Sequence, residues 1–107
     1  MIARTWRGWT RPEDEAAYAA YVASTGLAEY TNTSGNRGAY LLHRQVGDRT
    51  EFLAFSLWDS VDSIAAFAGD AIETAVFYPQ DDRYLIDREL TVNHYDVVLP
   101  AGQTTDS

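Results

Sequence analysis

Apolar positions change period along the chain, and the changes outline six elements. Met1 to Trp9 mixes β-branched and aromatic residues with Arg and predicts a strand broken at Gly8. Thr10-Arg11-Pro12-Glu13 reads as a helix start, with Thr10 and Glu13 in capping-box spacing. Tyr18, Tyr21, Val22 and Thr25 then recur at helical spacing until Gly26, and Leu27 to Tyr30 adds one further turn. Ser34 to Gly38 is a loop by composition. Ala39–Val46 and Thr50–Trp58 predict two strands around Gly47-Asp48-Arg49, a hairpin signal. Asp59 or Ser60 caps a second helix that turns Val61, Ile64, Ala65, Phe67 and Ala68 inward and ends at Gly69. Asp70 opens a further helical stretch running to Tyr78, stopped by Pro79. Gln80 to Leu90 reads as irregular, with Tyr84, Leu85 and Ile86 inward, and Thr91–Leu99 as the last strand.

The order β-α-β-β-α-β is the ferredoxin-like unit, an α+β fold with an antiparallel sheet and helices on one face. Strand order 4-1-3-2 then places the second and last strands on opposite edges. Apolar residues fall on both sheet faces, so the face without helices needs a cover. A second copy packed sheet against sheet supplies it, which predicts a homodimer. At 107 residues the chain is one domain, residues 1–99, followed by a polar tail, residues 100–107, that reads as disordered.

Charge and composition narrow the chemistry. Sixteen acidic against eight basic residues give a net charge of −8, which a nucleic-acid backbone repels. There is no Cys, which removes thiol nucleophiles, disulfides and Cys-rich metal sites. All eight basic residues are Arg, so Schiff-base chemistry on lysine is also excluded. Without a leader or an apolar run of membrane-spanning length, the chain reads as soluble and cytoplasmic, with no membrane partner.

Two histidines can move protons near neutral pH. His94 shares a strand face with Asp96, which can orient it or stabilise its charge. His43 lies mid-strand on the opposite edge, so the pair is not expected to share a metal, and no metal site is predicted. Arg4 and Trp6 share one face of the first strand, a pairing suited to an anionic aromatic ligand. The alternative is Trp as filler and Arg paired with a carboxylate. Asn36 can polarise a carbonyl from its loop, or simply shape the turn. The acidic runs Asp81-Asp82 and Glu13-Asp14-Glu15 read as solvated faces.

The strand MIARTWRG, Leu57-Trp58-Asp59-Ser60, Ile64-Ala65-Ala66-Phe67, Ala75-Val76-Phe77-Tyr78-Pro79 and Val92-Asn93-His94-Tyr95 together resemble the antibiotic-biosynthesis-monooxygenase-type domains of the dimeric α/β-barrel superfamily. The resemblance covers residues 1–99. It implies a pocket between sheet and helices, holding a small polycyclic or phenolic aromatic oxidised without metal or flavin. In that picture His94 is the base, Arg4 stabilises the anion, and Trp6, Tyr18, Phe67, Phe77 and Tyr78 line the box, with Asn36 and His43 as further substrate contacts. A cyclase or isomerase, or a non-enzymatic small-molecule or haem-binding barrel, would use the same pocket. The haem-degrading branch has an Asn on its first strand, a Trp near its second helix and a proximal His. Here Thr5–Trp6, Phe67 and Phe77–Tyr78 occupy those stretches and Trp58 comes too early, so haem is disfavoured, with Tyr78 its only ligand there.

Overall fold

A computed structural model of the chain describes residues 1–98, so the predicted tail and Leu99 lie outside the described residues. Strand β1 (Ile2–Thr10) occupies the centre of an antiparallel sheet. It pairs along its whole length with β3 (Arg49–Trp58), from Ile2 opposite Trp58 to Thr10 opposite Thr50. β3 in turn pairs with β2 (Asn36–Val46) through a two-residue turn at Gly47 and Asp48. Gly47 has φ 64°, the left-handed geometry such a tight turn demands.

The other side of β1 is shared. β4 (Leu85–Arg88) takes Gly8–Thr10, and β5 (Asn93–Asp96) takes Ile2–Thr5. The ferredoxin-like order therefore stands, with β2 and β5 on opposite sides of the central pair. Three helices, α1 (Glu15–Ser24), α2 (Gly26–Asn32) and α3 (Val61–Ala68), accompany the sheet. Among the described residues no helix is long and apolar enough to cross a membrane.

Several local expectations are corrected. Strand β1 runs straight through Gly8, whose missing Cβ makes room for its neighbours instead of breaking the strand. Thr10 is the last strand residue and caps nothing; its hydroxyl donates to the carbonyl of Arg11. The capping box lies at α3, where Ser60 accepts from the Ser63 amide and Ser63 accepts from the Ser60 amide. In α3 only Ile64 is fully buried, and Val61 is exposed.

The stretch from Asp70 to Tyr78 is not helical. It contains β-branched Ile72, Thr74 and Val76 just ahead of Pro79, and neighbouring backbone outcompetes a helix. Thr74 bridges Thr91, the Ala75 amide donates to the Leu90 carbonyl, and the Val92 amide to the Glu73 carbonyl. Residues 80–90, expected to be irregular, instead form a single helical turn, α4 (Asp81–Tyr84), and then β4. Leu85 is buried as expected, whereas Ile86 is exposed. The last strand is four residues long, shorter than Thr91–Leu99.

Tyr18 of α1, Phe52 of β3 and Leu85 of β4 form the buried core, with the Tyr18 and Phe52 rings edge to face at 5.0 Å. Trp58 is fully buried, stacked on Phe67, with its indole N–H donating to Ser56 Oγ. On the sheet's other face Tyr40 and Leu42 are 57% and 49% exposed, beside Leu53 and Phe55.

A Cβ at Gly8 would lie 2.5 Å from Trp6 Cη2 and 2.9 Å from Leu85 Cδ2. The indole cannot yield without moving the core, so Gly8→Ala should destabilise the fold by about 1–3 kcal/mol, measured by urea denaturation. An unchanged midpoint would show that this contact is loose.

Candidate active site

The helix-side face of the sheet carries Arg4, Trp6 and Gly8 from β1, opposite Ser56, Ala54 and Phe52 of β3. Arg4 and His94 are register partners across β1 and β5, so both side chains project to that face. Arg4 Nη1 and His94 Nε2 are 3.0 Å apart. A guanidinium only donates, so Nε2 accepts and the ring proton of neutral His94 sits on Nδ1. Burial, and then the Arg4 charge, push the His94 pKa below its ordinary value.

Arg4 also donates from Nη1 to the Ile72 carbonyl and from Nη2 to that of Thr74 at 3.4 Å. Its Nε is buried without a partner. Arg7, Arg11, Arg37, Arg44, Arg49 and Arg88 all pair with carboxylates. Arg4 is only 2% exposed and has no carboxylate within 4 Å among the described residues. Desolvation lowers its pKa, opposed by nearby Tyr30 and the exposed Glu73. Phe67 lies 5.9 Å from the guanidinium carbon.

Arg4, Trp6 and Ala54 from the sheet, Tyr18, Val22, Gly26 and Tyr30 from α1 and α2, and Ala75, Val76, Tyr78, Asp81 and Val92 enclose a cavity of about 40 Å³. That is room for a water or two. Trp6 is fixed by its indole N–H, which donates to the Glu89 carbonyl at 2.7 Å. The Tyr78 hydroxyl donates to Glu29 at 2.6 Å, and burial with this bond raises its pKa.

The predicted residues divide accordingly. Arg4, Trp6, Tyr18 and Tyr78 share the cavity, and His94 stands behind Arg4. Phe67 backs the guanidinium from outside the cavity lining. Phe77 sits against Trp6, ring centroids 6.2 Å apart, with the Arg88 guanidinium carbon 4.8 Å from its ring centroid. Asp96 is exposed and makes no side-chain hydrogen bond among the described residues, so it is Arg4 that holds the His94 ring. Asn36 spends its amide on the Leu57 carbonyl and the Gly38 amide, shaping a bulge in β2 away from the cavity. His43 is exposed on β2, with Nδ1 3.7 Å from Glu15 and its ring beside Phe52. No group of three or more potential metal ligands occurs among the described residues.

Tyr30 and Asp81 were not anticipated. Tyr18, Val22, Gly26 and Tyr30 are four residues apart and line the cavity together; this stripe was legible but was cut short by reading Gly26 as a stop. The chain does turn there, at Thr25, but resumes as α2. Asp81, expected in a solvated acidic run, is buried, whereas Asp82 is exposed and paired with Arg88. Nothing local in the sequence separates the two.

No known family model matches the chain, and no curated protein sequence does either. Solved structures do resemble it. The chain is 17% identical to Rv0793 from Mycobacterium tuberculosis, with TM-score 0.62 over 94% of this chain and 98% of that one. It is 22% identical to a candidate antibiotic biosynthesis monooxygenase from Bordetella bronchiseptica, TM-score 0.57, covering 92% and 97%. A MhuD variant with two manganese protoporphyrin IX groups bound per active site is 17% identical, TM-score 0.61, covering 96% and 100%. The fold is therefore that of the antibiotic-biosynthesis-monooxygenase-type domains, ferredoxin-like and α+β.

The two histidines make a direct check possible. In a proton NMR titration, the resonance missing from His94→Gln should titrate with a midpoint below 6.5 in the wild type. A midpoint above that value would show that Arg4 does not face the ring.

Proposed function

We propose that this chain is a cofactor-independent monooxygenase-type enzyme acting on a small phenolic or polycyclic aromatic in the cavity between sheet and helices. The observation that carries the reading is Arg4, a buried guanidinium with no carboxylate partner, facing an aromatic-lined cavity. A buried charge without a counter-charge is costly, and a bound phenolate or enolate provides one. Beyond the Ala75–Leu90 hydrogen bond, the wall at Val76 and Tyr78 lies outside helix and strand, so it can move outward to admit a ring without breaking a sheet ladder.

His94 takes the proton. A phenol entering between Arg4 and His94 donates its O–H to Nε2 while its oxygen accepts from Nη1. As the anion forms it offsets the Arg4 charge that otherwise opposes an imidazolium. Deprotonation makes the ring electron-rich enough to reduce dioxygen directly. For a benzylic carbon the sum is R₂CH₂ + O₂ → R₂C=O + H₂O, which balances without an outside reductant. Confinement and exclusion of water are the protein's further contributions.

A resident haem does not suit these residues. His94 Nε2 is engaged by Arg4, and Tyr78 donates to Glu29 with its pKa raised, whereas an iron-bound tyrosinate requires it lowered.

The partner of the second sheet face is, in this proposal, another copy of the chain. Tyr40, Leu42, Leu53 and Phe55 form an apolar surface there that a monomer leaves wet. Sedimentation equilibrium should give twice the 12.0 kDa chain mass, and Leu42→Glu should shift the protein towards monomer. A monomeric wild type would overturn the homodimer.

Oxygen uptake by metal-stripped protein against anthrones, naphthols and hydroquinones tests the activity. Uptake should exceed the protein-free rate and fall roughly 100-fold or more in Arg4→Gln and in His94→Ala, the scale of losing a charge stabiliser or a general base. No uptake by folded wild type across the panel would exclude the oxygenase reading.

A further inference from the structure

The cavity wall holds a second buried charge. Asp81 is 4% exposed and lines the same cavity as Arg4. The two are not an ion pair, since no Asp81 oxygen lies within 4 Å of an arginine nitrogen among the described residues. Opposite charges in a shared low-dielectric space attract strongly. This fold nevertheless holds them apart: Arg4 is tied to the Ile72 and Thr74 carbonyls, and Asp81 to the Tyr78 amide at 2.7 Å.

A single backbone amide leaves much of a carboxylate's accepting capacity unused. Asp82, the adjacent carboxylate, takes the Arg88 hydrogen bond, so that cation acts on Asp81 only through space and donates nothing to it. Burial raises the Asp81 pKa, against the Tyr78 amide and the Arg88 charge, which both lower it. A ring with a single hydroxyl between Arg4 and Asp81 would satisfy only one of them.

We infer that the cavity is built for a substrate with two polar ends, an ionisable hydroxyl at Arg4 and a second hydroxyl that donates to Asp81. Asp81 is then a positioning residue that selects dihydroxylated aromatics over their mono-hydroxylated counterparts and fixes which carbon faces dioxygen. This rests on the phenol-binding reading of the cavity and adds the substrate's second contact.

The test is the affinity of naphthols, followed by fluorescence or calorimetry. A naphthol with one hydroxyl is compared with a series of dihydroxynaphthalenes that differ only in hydroxyl spacing, on wild type and on Asp81→Asn. At least one diol should bind wild type about tenfold more tightly than the naphthol, the lower end for a hydrogen bond to a charged acceptor. Asp81→Asn should lose that gain while keeping naphthol affinity. Asp81→Ser, whose hydroxyl can still accept from the Tyr78 amide, serves if the amide variant does not fold. Wild type that binds naphthol but favours no diol would overturn the inference and leave the phenol site standing. A preference that survives in the folded variants would overturn the role of Asp81. If wild type binds no member of the series, the phenol-binding reading fails and this inference with it.

Discussion

A guanidinium taken out of water must find partners, and the way Arg4 finds them organises much of this molecule. Its donors go to two carbonyls of the segment ahead of β4 and to a histidine on β5, tying three stretches distant in sequence into one wall. None of these partners carries a negative charge. The local structure therefore depends on a cation that is hydrogen-bonded but has no carboxylate partner within 4 Å among the described residues. The Arg7–Glu89 pair on the opposite face of the same strand shows the ordinary alternative, an exposed ion pair in which Nε and Nη2 both donate to Glu89 Oε2.

The same cation decides what His94 can do. Because a guanidinium never accepts, it selects the tautomer, and because it is charged, it keeps the ring neutral. In the proposed reaction its lone pair is released by a ligand that engages Arg4, which would couple binding and basicity through one 3.0 Å contact.

β1, β2 and β3 were legible because they are long and their β-branched and aromatic residues leave no other economical arrangement, whereas the four-residue β4 was not. The Arg4–His94 neighbourhood followed once strand order was known, since both were placed on strands that pair. What escaped was decided by tertiary competition. Asp70 to Tyr78 has a helix-like start, yet Glu73, Thr74 and Ala75 find backbone partners at Leu90, Thr91 and Val92. Asp81 and Asp82 are indistinguishable as neighbours in sequence, and a single helical turn sends one inward and the other out. Asp96 failed as a partner for His94 because two residues along a strand is nearly 7 Å, whereas a register partner across it is within reach.

The central position of β1 has a consequence for how the chain emerges from a ribosome. Residues 2–10 are made before β3, β4 and β5, which flank them and all lie later in the chain. The β2–β3 hairpin, by contrast, closes over a two-residue turn and can form as soon as it is synthesised. β1 must therefore stay unpaired until β3 has been made, and its outer edge until β4 and β5 follow. Its two arginines and its glycine, poor material for an aggregating strand, keep it apart from its neighbours during that interval.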